Sequence, residues 1–286
     1  MKIGIIGLGL IGGSMAIDLR RRGFAEEVVG VEADSVNAAA AMNIGLVDRM
    51  VSLEECVEQC DLVVMAVPVG VAVGILPQVL DIYGSMGDNA DGRVVMDVCS
   101  TKKSLAECVK GHPARVRYVS SHPMAGTEYS GPWAAMSGLF DGHACIICDA
   151  DQSDEAGVRR VEELYDVLNM RAIYMDSSNH DVHTAYVSHI SHVISFALAL
   201  TVLDKEKDEK HIFDLASGGF SSTVRLAKSN PDMWIPILTQ NADNVLHVMD
   251  TYIEKMNAFR QAIADADEDA IRNLIEEANR IRRIIR

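Results

Sequence analysis

Residues 2–14 read KIGIIGLGLIGGS, an apolar run that closes on Gly7-x-Gly9-x-x-Gly12 and passes into a helical pattern. Lys2–Ile6 is almost continuously aliphatic, as a strand buried on both faces must be. Gly7 permits the tight turn, Gly9 lets the backbone come close to a pyrophosphate, and Gly12 lets the following helix pack against the strand. That helix opens near Leu10 and Ile11, where unpaired N–H groups and a partial positive charge face incoming phosphates.

The glycine pattern alone is a weak signal, but its surroundings complete it. A second apolar run, Val28-Val29-Gly30-Val31, ends in Glu32, 20 residues after Gly12. A carboxylate there accepts hydrogen bonds from ribose hydroxyls and repels a 2′-phosphate. No Arg or Lys lies between Glu32 and Met42 to attract one. The expectation is a Rossmann-type domain that binds NAD in preference to NADP through Gly7, Gly9, Leu10, Ile11, Gly12 and Glu32. A flavin site and a glycine turn without a ligand are the competing readings.

Outward from the loop, strands are expected at Lys2–Ile6, Val28–Glu32, Leu62–Val67, Val94–Val98, Val116–Ser120 and Ala144–Cys148. Helices are expected at Ile11–Arg22, Val36–Met42, Leu53–Cys60, Val71–Tyr83, Leu105–Gly111 and Glu155–Leu168, with a kink or break at Pro77. Such alternation implies right-handed crossovers and a mainly parallel sheet. Past residue 175 the strand signal stops, and Asn179–Leu203, Met233–Ile263 and Asp267–Ile285 read as helices. Acidic residues open the last of these, and Arg280, Arg282, Arg283 and Arg286 close it, which suits the helix dipole. The expected plan is an α/β NAD-binding domain over residues 1–176, then an all-α substrate-binding and dimerisation domain over 177–286.

With 41 acidic and 26 basic residues the formal net charge is −15, which disfavours nucleic acid and anionic membranes as partners. Six cysteines in 286 residues do not read as a disulfide framework. No unbroken apolar run reaches the ~18 residues of a membrane span. The expectation is a cytoplasmic protein with no membrane partner. Cys145 and Cys148 have metal-site spacing, but residues three apart on a strand face opposite ways. They are expected to be core residues, as are Cys56 and Cys60.

Ligands of open α/β sheets sit beyond the C-terminal strand ends. Two polar segments are expected there: Cys99-Ser100-Thr101-Lys102, and Ser121-His122-Pro123-Met124-Ala125-Gly126-Thr127-Glu128. His122 has the side chain suited to taking an alcohol proton near neutral pH while hydride leaves the same carbon. Ser100 has two readings, a hydrogen bond to that hydroxyl or a cap on the next helix. His122 has the competing reading of a plain loop histidine.

Four segments together resemble the prephenate/arogenate dehydrogenase family: DVCSTKKS at 97–104, SHPMAGTEYSG at 121–131, HTAYVSHISH at 183–192 and SGGFSSTVRLAKSNPDMW at 217–234. The resemblance implies NAD-dependent conversion of prephenate to 4-hydroxyphenylpyruvate and CO2 in tyrosine biosynthesis. It implies that His122 is the catalytic histidine, with Ser100 orienting the same contact. Glu128 is then a residue shaping the pocket mouth, Arg225 the partner of a substrate carboxylate, and Trp234 a pocket tryptophan. Some family members carry a basic residue after Gly-Gly-Phe, where this chain has Ser221. That departure leaves arogenate open as the alternative substrate. No regulatory or mutase domain is expected after the helices.

His189 and His192 lie one helical turn apart, on one face of a helix. The resemblance implies substrate contact, chiefly by His192; packing is the plainer reading, and two imidazoles seldom close a metal site. No metal is expected. A β-hydroxyacid dehydrogenase or imine reductase would share the architecture but carries a lysine on the long helix, and Asn179–Leu203 has none. A regulatory protein that senses NAD without turnover is the non-enzymatic alternative. The apolar surface of the helical half is expected to form a homodimer.

Overall fold

The computed structural model describes residues 1–207 and 211–284. Among the described residues one eight-stranded sheet runs in the order β3-β2-β1-β4-β5-β6-β7-β8. The strands are β1 (Lys2–Ile6), β2 (Glu27–Val31), β3 (Arg49–Met50), β4 (Leu62–Met65), β5 (Val94–Asp97), β6 (Tyr118–Pro123), β7 (Ala144–Cys148) and β8 (Arg171–Met175). Helices α1 (Leu10–Arg21), α2 (Ser35–Asn43), α3 (Leu53–Gln59), α4 (Val69–Met86), α5 (Lys103–Cys108) and α6 (Glu155–Val167) connect them.

Alternation along the strands divides the core into two. Ile3, Ile5, Val28, Leu62, Val64 and Met96 join Met15, Leu19, Val161 and Leu164 on one face. Ile6, Val29, Val63, Met65 and Val95 join Leu76, Val79, Leu80 and Tyr83 on the other. A sheet sandwiched this way has the doubly wound, three-layer build expected from the glycine loop.

The sheet is mainly parallel, as expected, with one antiparallel pair among the described residues, β6 with β7, which sets His122 opposite Ile146. A parallel return needs a crossover of a dozen or more residues, usually helical. Between β6 and β7 the chain forms only the short 3-10 turn Pro132–Ala134, so it doubles back. Two expectations need correction. This pairing carries β6 through Pro123, past the expected end at Ser120. His122 is therefore a strand residue and not a loop residue. Nor does Pro77 break its helix, which continues to Met86.

The sheet ends at β8, and α7 (Ser177–Thr184) follows at once. The expected helix Asn179–Leu203 is a longer rod with a π-helical turn at Ala185–His189, continued by α8 (Ile190–Glu206). Then come α9 (Gly218–Thr223) and α10 (Pro231–Gln240). The first compact unit spans Met1–Asn241, so it contains these elements as well as the sheet. The expected helix Met233–Ile263 is divided at Asn241, which closes α10.

The second compact unit begins at Ala242. It holds α11 (Ala242–Ala264) and α12 (Glu268–Ala278), the latter capped by the Asp267 carboxylate on the Ala270 N–H at 2.9 Å. Leu246, Ile253, Met256, Ile263 and Ile275 lie exposed on these helices. A 3-10 turn, Asn279–Arg283, follows, and Ile285 and Arg286 of the expected terminal helix lie outside the described residues.

Although no unbroken apolar run is long enough, two helical stretches, Val69–Ala90 and Ser177–Glu206, could cross a membrane by length and composition. The first packs Leu76, Val79, Leu80 and Tyr83 into the core. The second carries His180, Asp181 and His189 buried in hydrogen bonds to other parts of the first unit.

Candidate active site

The glycine loop lies where the sheet changes direction. β1 pairs with β2 on one side and β4 on the other, which leaves a crevice above its C-terminal end. Gly7 adopts φ 94°, and a Cβ there would come within 2.5 Å of the Ala66 carbonyl oxygen. A Cβ on Gly12 would strike the Gly7 carbonyl. Gly9 opens α1 without any side-chain cap, and its nearest neighbour, Gly131 N, is 4.0 Å from where a Cβ would stand. The first intrahelical bond of α1 runs from Gly13 N to Gly9 O at 2.9 Å. The amides of Leu10, Ile11 and Gly12 have no intrahelical carbonyl to reach. Glu32 stands at the loop rim, its carboxylate accepting from Leu8 N at 3.0 Å and Asp34 N at 3.1 Å. Open amides, space at Gly9 and a carboxylate beyond β2 fit a dinucleotide.

The long segment between β6 and β7 folds over α1. Met136 N donates to Ser14 Oγ at 3.0 Å, and Gly138 N to the buried Asp18 carboxylate at 2.9 Å. This brings the stretch that follows His122 onto the glycine loop, as the approach of Gly131 to Gly9 shows.

His122 is half-buried near the C-terminal end of β6. Its Nδ1 lies 2.9 Å from His180 Nε2, and His180 Nδ1 lies 2.8 Å from Asp181 Oδ1. The Asp181 carboxylate also accepts from the backbone N–H of Lys102 at 2.8 Å and of Lys103 at 3.0 Å, at the start of α5. Burial holds the His122 imidazole well below its usual pKa, helped by His180 and Lys102. His180 is shifted the same way by burial, which outweighs the opposing Asp181 contact. Both rings are therefore neutral at pH 7.

Ser100 lies in the turn beyond β5, the strand next to β6. Its hydroxyl makes no hydrogen bond among the described residues, and it does not cap α5, whose start is held by Asp181 instead. Below it sits a fully buried ion pair, Lys102 with Asp97. Asp97 also accepts from Tyr118 Oη at 2.7 Å, Cys99 N at 2.9 Å and Ser121 N at 3.2 Å.

Arg225 pairs with Glu128 at 3.0 Å, which ties α9's exit to the loop after His122. Glu128's own backbone N–H, then Arg225, holds that carboxyl below the usual range. His192 stacks on Trp234 with centroids 3.6 Å apart and planes at 27°. His189 meets the same indole edge-on at 5.9 Å. His189 Nδ1 is 3.1 Å from Asn241 Nδ2, which also donates to the Asp181 carbonyl at 2.7 Å. Burial pushes the His189 pKa down to about 4, so the ring is neutral and its Nδ1 accepts from Asn241. Its protonated Nε2 and the Trp234 indole N–H are then buried donors without a hydrogen-bond partner. Burial also lowers the His192 pKa, and the nearby Arg225 charge acts in the same direction.

The structure thus joins His122 to the His189–His192–Trp234 cluster through His180, Asp181 and Asn241. None of those three linking residues was singled out from the sequence; an adjacent His-Asp pair at a helix start was the available signal. Among the described residues no group of three or more His, Cys, Asp or Glu is placed to hold a metal ion. The six cysteines are free, and all but Cys108 are buried.

Comparison with known proteins agrees along the whole length. Residues 15–174 match the nucleotide-binding domain of prephenate dehydrogenase, and residues 176–277 match its dimerization domain. The chain is 29% identical to the prephenate dehydrogenase of Lactococcus lactis, over 98% of this chain and 76% of that protein. It is 30% identical to the cyclohexadienyl dehydrogenase of Zymomonas mobilis, over 98% and 94%. The crystal structure of Aquifex aeolicus prephenate dehydrogenase with hydroxyphenyl propionate and NAD+ superposes with a TM-score of 0.84 at 26% identity, covering 99% of this chain and 98% of that one.

Proposed function

The chain belongs to the prephenate dehydrogenase family, and from that premise we propose that it oxidises prephenate with NAD+ to 4-hydroxyphenylpyruvate, CO2 and NADH. The observation that carries the reading is His122: a neutral imidazole at the same C-terminal edge of the sheet as the dinucleotide loop, with Nδ1 engaged by His180 and Nε2 without a protein partner among the described residues.

NAD+, when bound on Gly7, Gly9, Gly12 and Glu32, supplies the hydride acceptor. His122 Nε2 takes the ring-hydroxyl proton as hydride leaves the same carbon. Loss of the ring carboxylate as CO2 leaves its electron pair to aromatise the ring, and His122 returns the proton to the ring oxygen. The overall stoichiometry leaves no proton over, so His122 ends each turnover neutral. Ser100, with its hydroxyl free, orients the same oxygen. Arg225 leaves Glu128 to take a substrate carboxylate, and supplies the local positive charge that an acidic protein needs for a dianion. His192 and Trp234 wall the pocket, with His189 behind them.

The decisive assay follows NADH release with prephenate and with arogenate, each with NAD+ and NADP+. Turnover of prephenate with NAD+ is the expected result. Turnover of arogenate alone would replace the substrate, and none with either would leave a protein that only senses NAD.

Two further outcomes are expected. Because His122 must be neutral to act, kcat/KM falls as pH drops through its pKa, which burial places below the usual histidine value of ~6.5. The profile is therefore flat from pH 8 to 6.5 and declines only at lower pH. A midpoint at or above 7 would contradict the buried site. Arg225→Ala should raise KM for prephenate by ~10–100-fold, the loss of one charge-assisted contact, with a smaller change in kcat. An unaltered KM would remove Arg225 from the pocket.

A homodimer is the assembly that fits, since residues 176–277 match a dimerization domain and α11 and α12 expose Leu246, Ile253, Met256, Ile263 and Ile275. A cytoplasmic location is the remaining part of the proposal, supported by six free cysteines, which suit a reducing compartment.

A further inference from the structure

We infer that His180 and Asp181 are positioning residues: they fix the tautomer of His122 so that Nε2 carries the lone pair, and they hold the positive charge when that nitrogen is protonated. The inference rests on the reading of His122 as the proton acceptor and says what makes it one.

The hydrogen bonds leave a single arrangement. The Asp181 carboxylate accepts at Oδ1 from Lys102 N at 2.8 Å and at Oδ2 from Lys103 N at 3.0 Å, and neither amide can reverse its role. A carboxylate only accepts. The contact of 2.8 Å between Asp181 Oδ1 and His180 Nδ1 therefore places a hydrogen on that nitrogen. A neutral His180 then has its lone pair on Nε2. His122 Nδ1, 2.9 Å away, must donate to it. A neutral His122 is left with a bare Nε2, the atom required to accept a proton. The opposite tautomer would present an N–H to the substrate hydroxyl and take nothing.

The holders are themselves held. Asp176 caps α7 through Asn179 N at 2.8 Å, Thr184 Oγ1 donates to the His180 carbonyl at 3.0 Å, and Asn241 donates to the Asp181 carbonyl at 2.7 Å. His180 is fully buried and its two ring nitrogens have no other partners among the described residues. When His122 Nε2 gains the hydroxyl proton, its Nδ1 proton moves along the bond to His180 Nε2. The charge then rests on the ring in contact with Asp181. The buried cation of Lys102 opposes charge on either ring, but His122 has no carboxylate to offset it, whereas His180 has the hydrogen-bonded Asp181 and, further off, Asp97. The surroundings thus favour moving the charge inward. Return of the proton to the aromatised product reverses the shift, so no channel to solvent is needed.

The test replaces Asp181 by Asn, which removes the negative charge. Its amide oxygen takes the Oδ1 place, where it keeps the bonds from Lys102 N and His180 Nδ1, so the tautomers are held while the charge that stabilises a protonated His180 is lost. Nitrogen-15 NMR of the free protein should report His122 bare at Nε2 in the native chain and in Asp181→Asn. In the same variant kcat should fall ~100-fold, less than for an orienting carboxylate bonded directly to the catalytic ring. KM for NAD+ should stay as it was, whereas damage to folding would move both. His180→Gln is the second variant, since its side-chain carbonyl still accepts from His122 Nδ1 but cannot share the charge. It should keep the native His122 tautomer while kcat drops ~10-fold, consistent with loss of a proton-sharing group. A native His122 protonated at Nε2 would overturn the inference, as would Asp181→Asn with native turnover or His180→Gln with native turnover. The NMR result is independent of substrate, so absence of prephenate turnover in the native chain would instead strike the proposed reaction.

Discussion

Replacing His122 by Asn should lower kcat for prephenate by ~10²–10⁴-fold, the range for loss of a positioned general base. That corresponds to about 3–5 kcal/mol of transition-state stabilisation. Asparagine is the informative substitution because its amide N–H can still donate to His180 Nε2, as His122 Nδ1 does at 2.9 Å. β6 keeps its antiparallel pairing with β7, so the strand is undisturbed. What disappears is the nitrogen that accepts a proton. NAD+ affinity should be unchanged, since the dinucleotide groups lie on β1, α1 and β2. The residual rate should also lose the decline at low pH. Stopped-flow NADH formation and cofactor titration check both halves. Near-native turnover would show that the hydroxyl proton goes elsewhere.

How far this site was legible depends on what kind of physics each part uses. The glycine loop depends on local backbone geometry: Gly7 and Gly12 are readable because no Cβ fits there, and Gly9 because the space beside it is what a pyrophosphate needs. β1, β4, β5 and β7 declare themselves as apolar runs because both faces are buried. β8 does not: it is a sheet-edge strand with Arg171, Ala172 and Tyr174 exposed, so its composition resembles surface chain. β3 is two residues long and has no pattern to show. The antiparallel turn from β6 to β7 did leave a trace, the absence of any helical stretch between Ser121 and His143. Reading strands only by their apolar cores ended β6 too early and put His122 in a loop. The imidazole itself stood out by type, but its partners did not. His180 lies 58 residues away and Asp181 joins it through bonds to α5 that no spacing rule encodes. Arg225 and Glu128, 97 residues apart, were each expected at the pocket, yet their mutual ion pair was not.

The Lys102–Asp97 pair was likewise invisible, although both residues lie in a segment singled out from the sequence, and it carries the largest expected effect on stability. Both side chains are 0% exposed. Removing two charges from water is costly, and only their mutual attraction with full hydrogen bonding offsets it. Asp97 is well supplied, by Tyr118 Oη, Cys99 N and Ser121 N as well as Lys102. Lys102 also donates to the Ser121 carbonyl. Lys102→Met keeps the length of the side chain but leaves a buried carboxylate without a countercharge, and should cost about 3–5 kcal/mol. Against a typical total of about 5–15 kcal/mol, that puts a measurable fraction of the protein near unfolding. Adding Asp97→Asn should recover part of the loss, because the remaining donors can satisfy a neutral amide oxygen. Denaturant titration of the two single variants and the double variant separates the pair's coupling from the cost of an orphaned charge. A loss below ~1 kcal/mol for Lys102→Met would mean that water reaches Asp97, since only a hydrated carboxylate tolerates losing its partner so cheaply. The same pair joins the exit of β5 to Ser121, the residue before His122. Loosening it should therefore misplace both Ser100 and His122, so that kcat falls in Lys102→Met even at denaturant-free conditions where the chain remains folded.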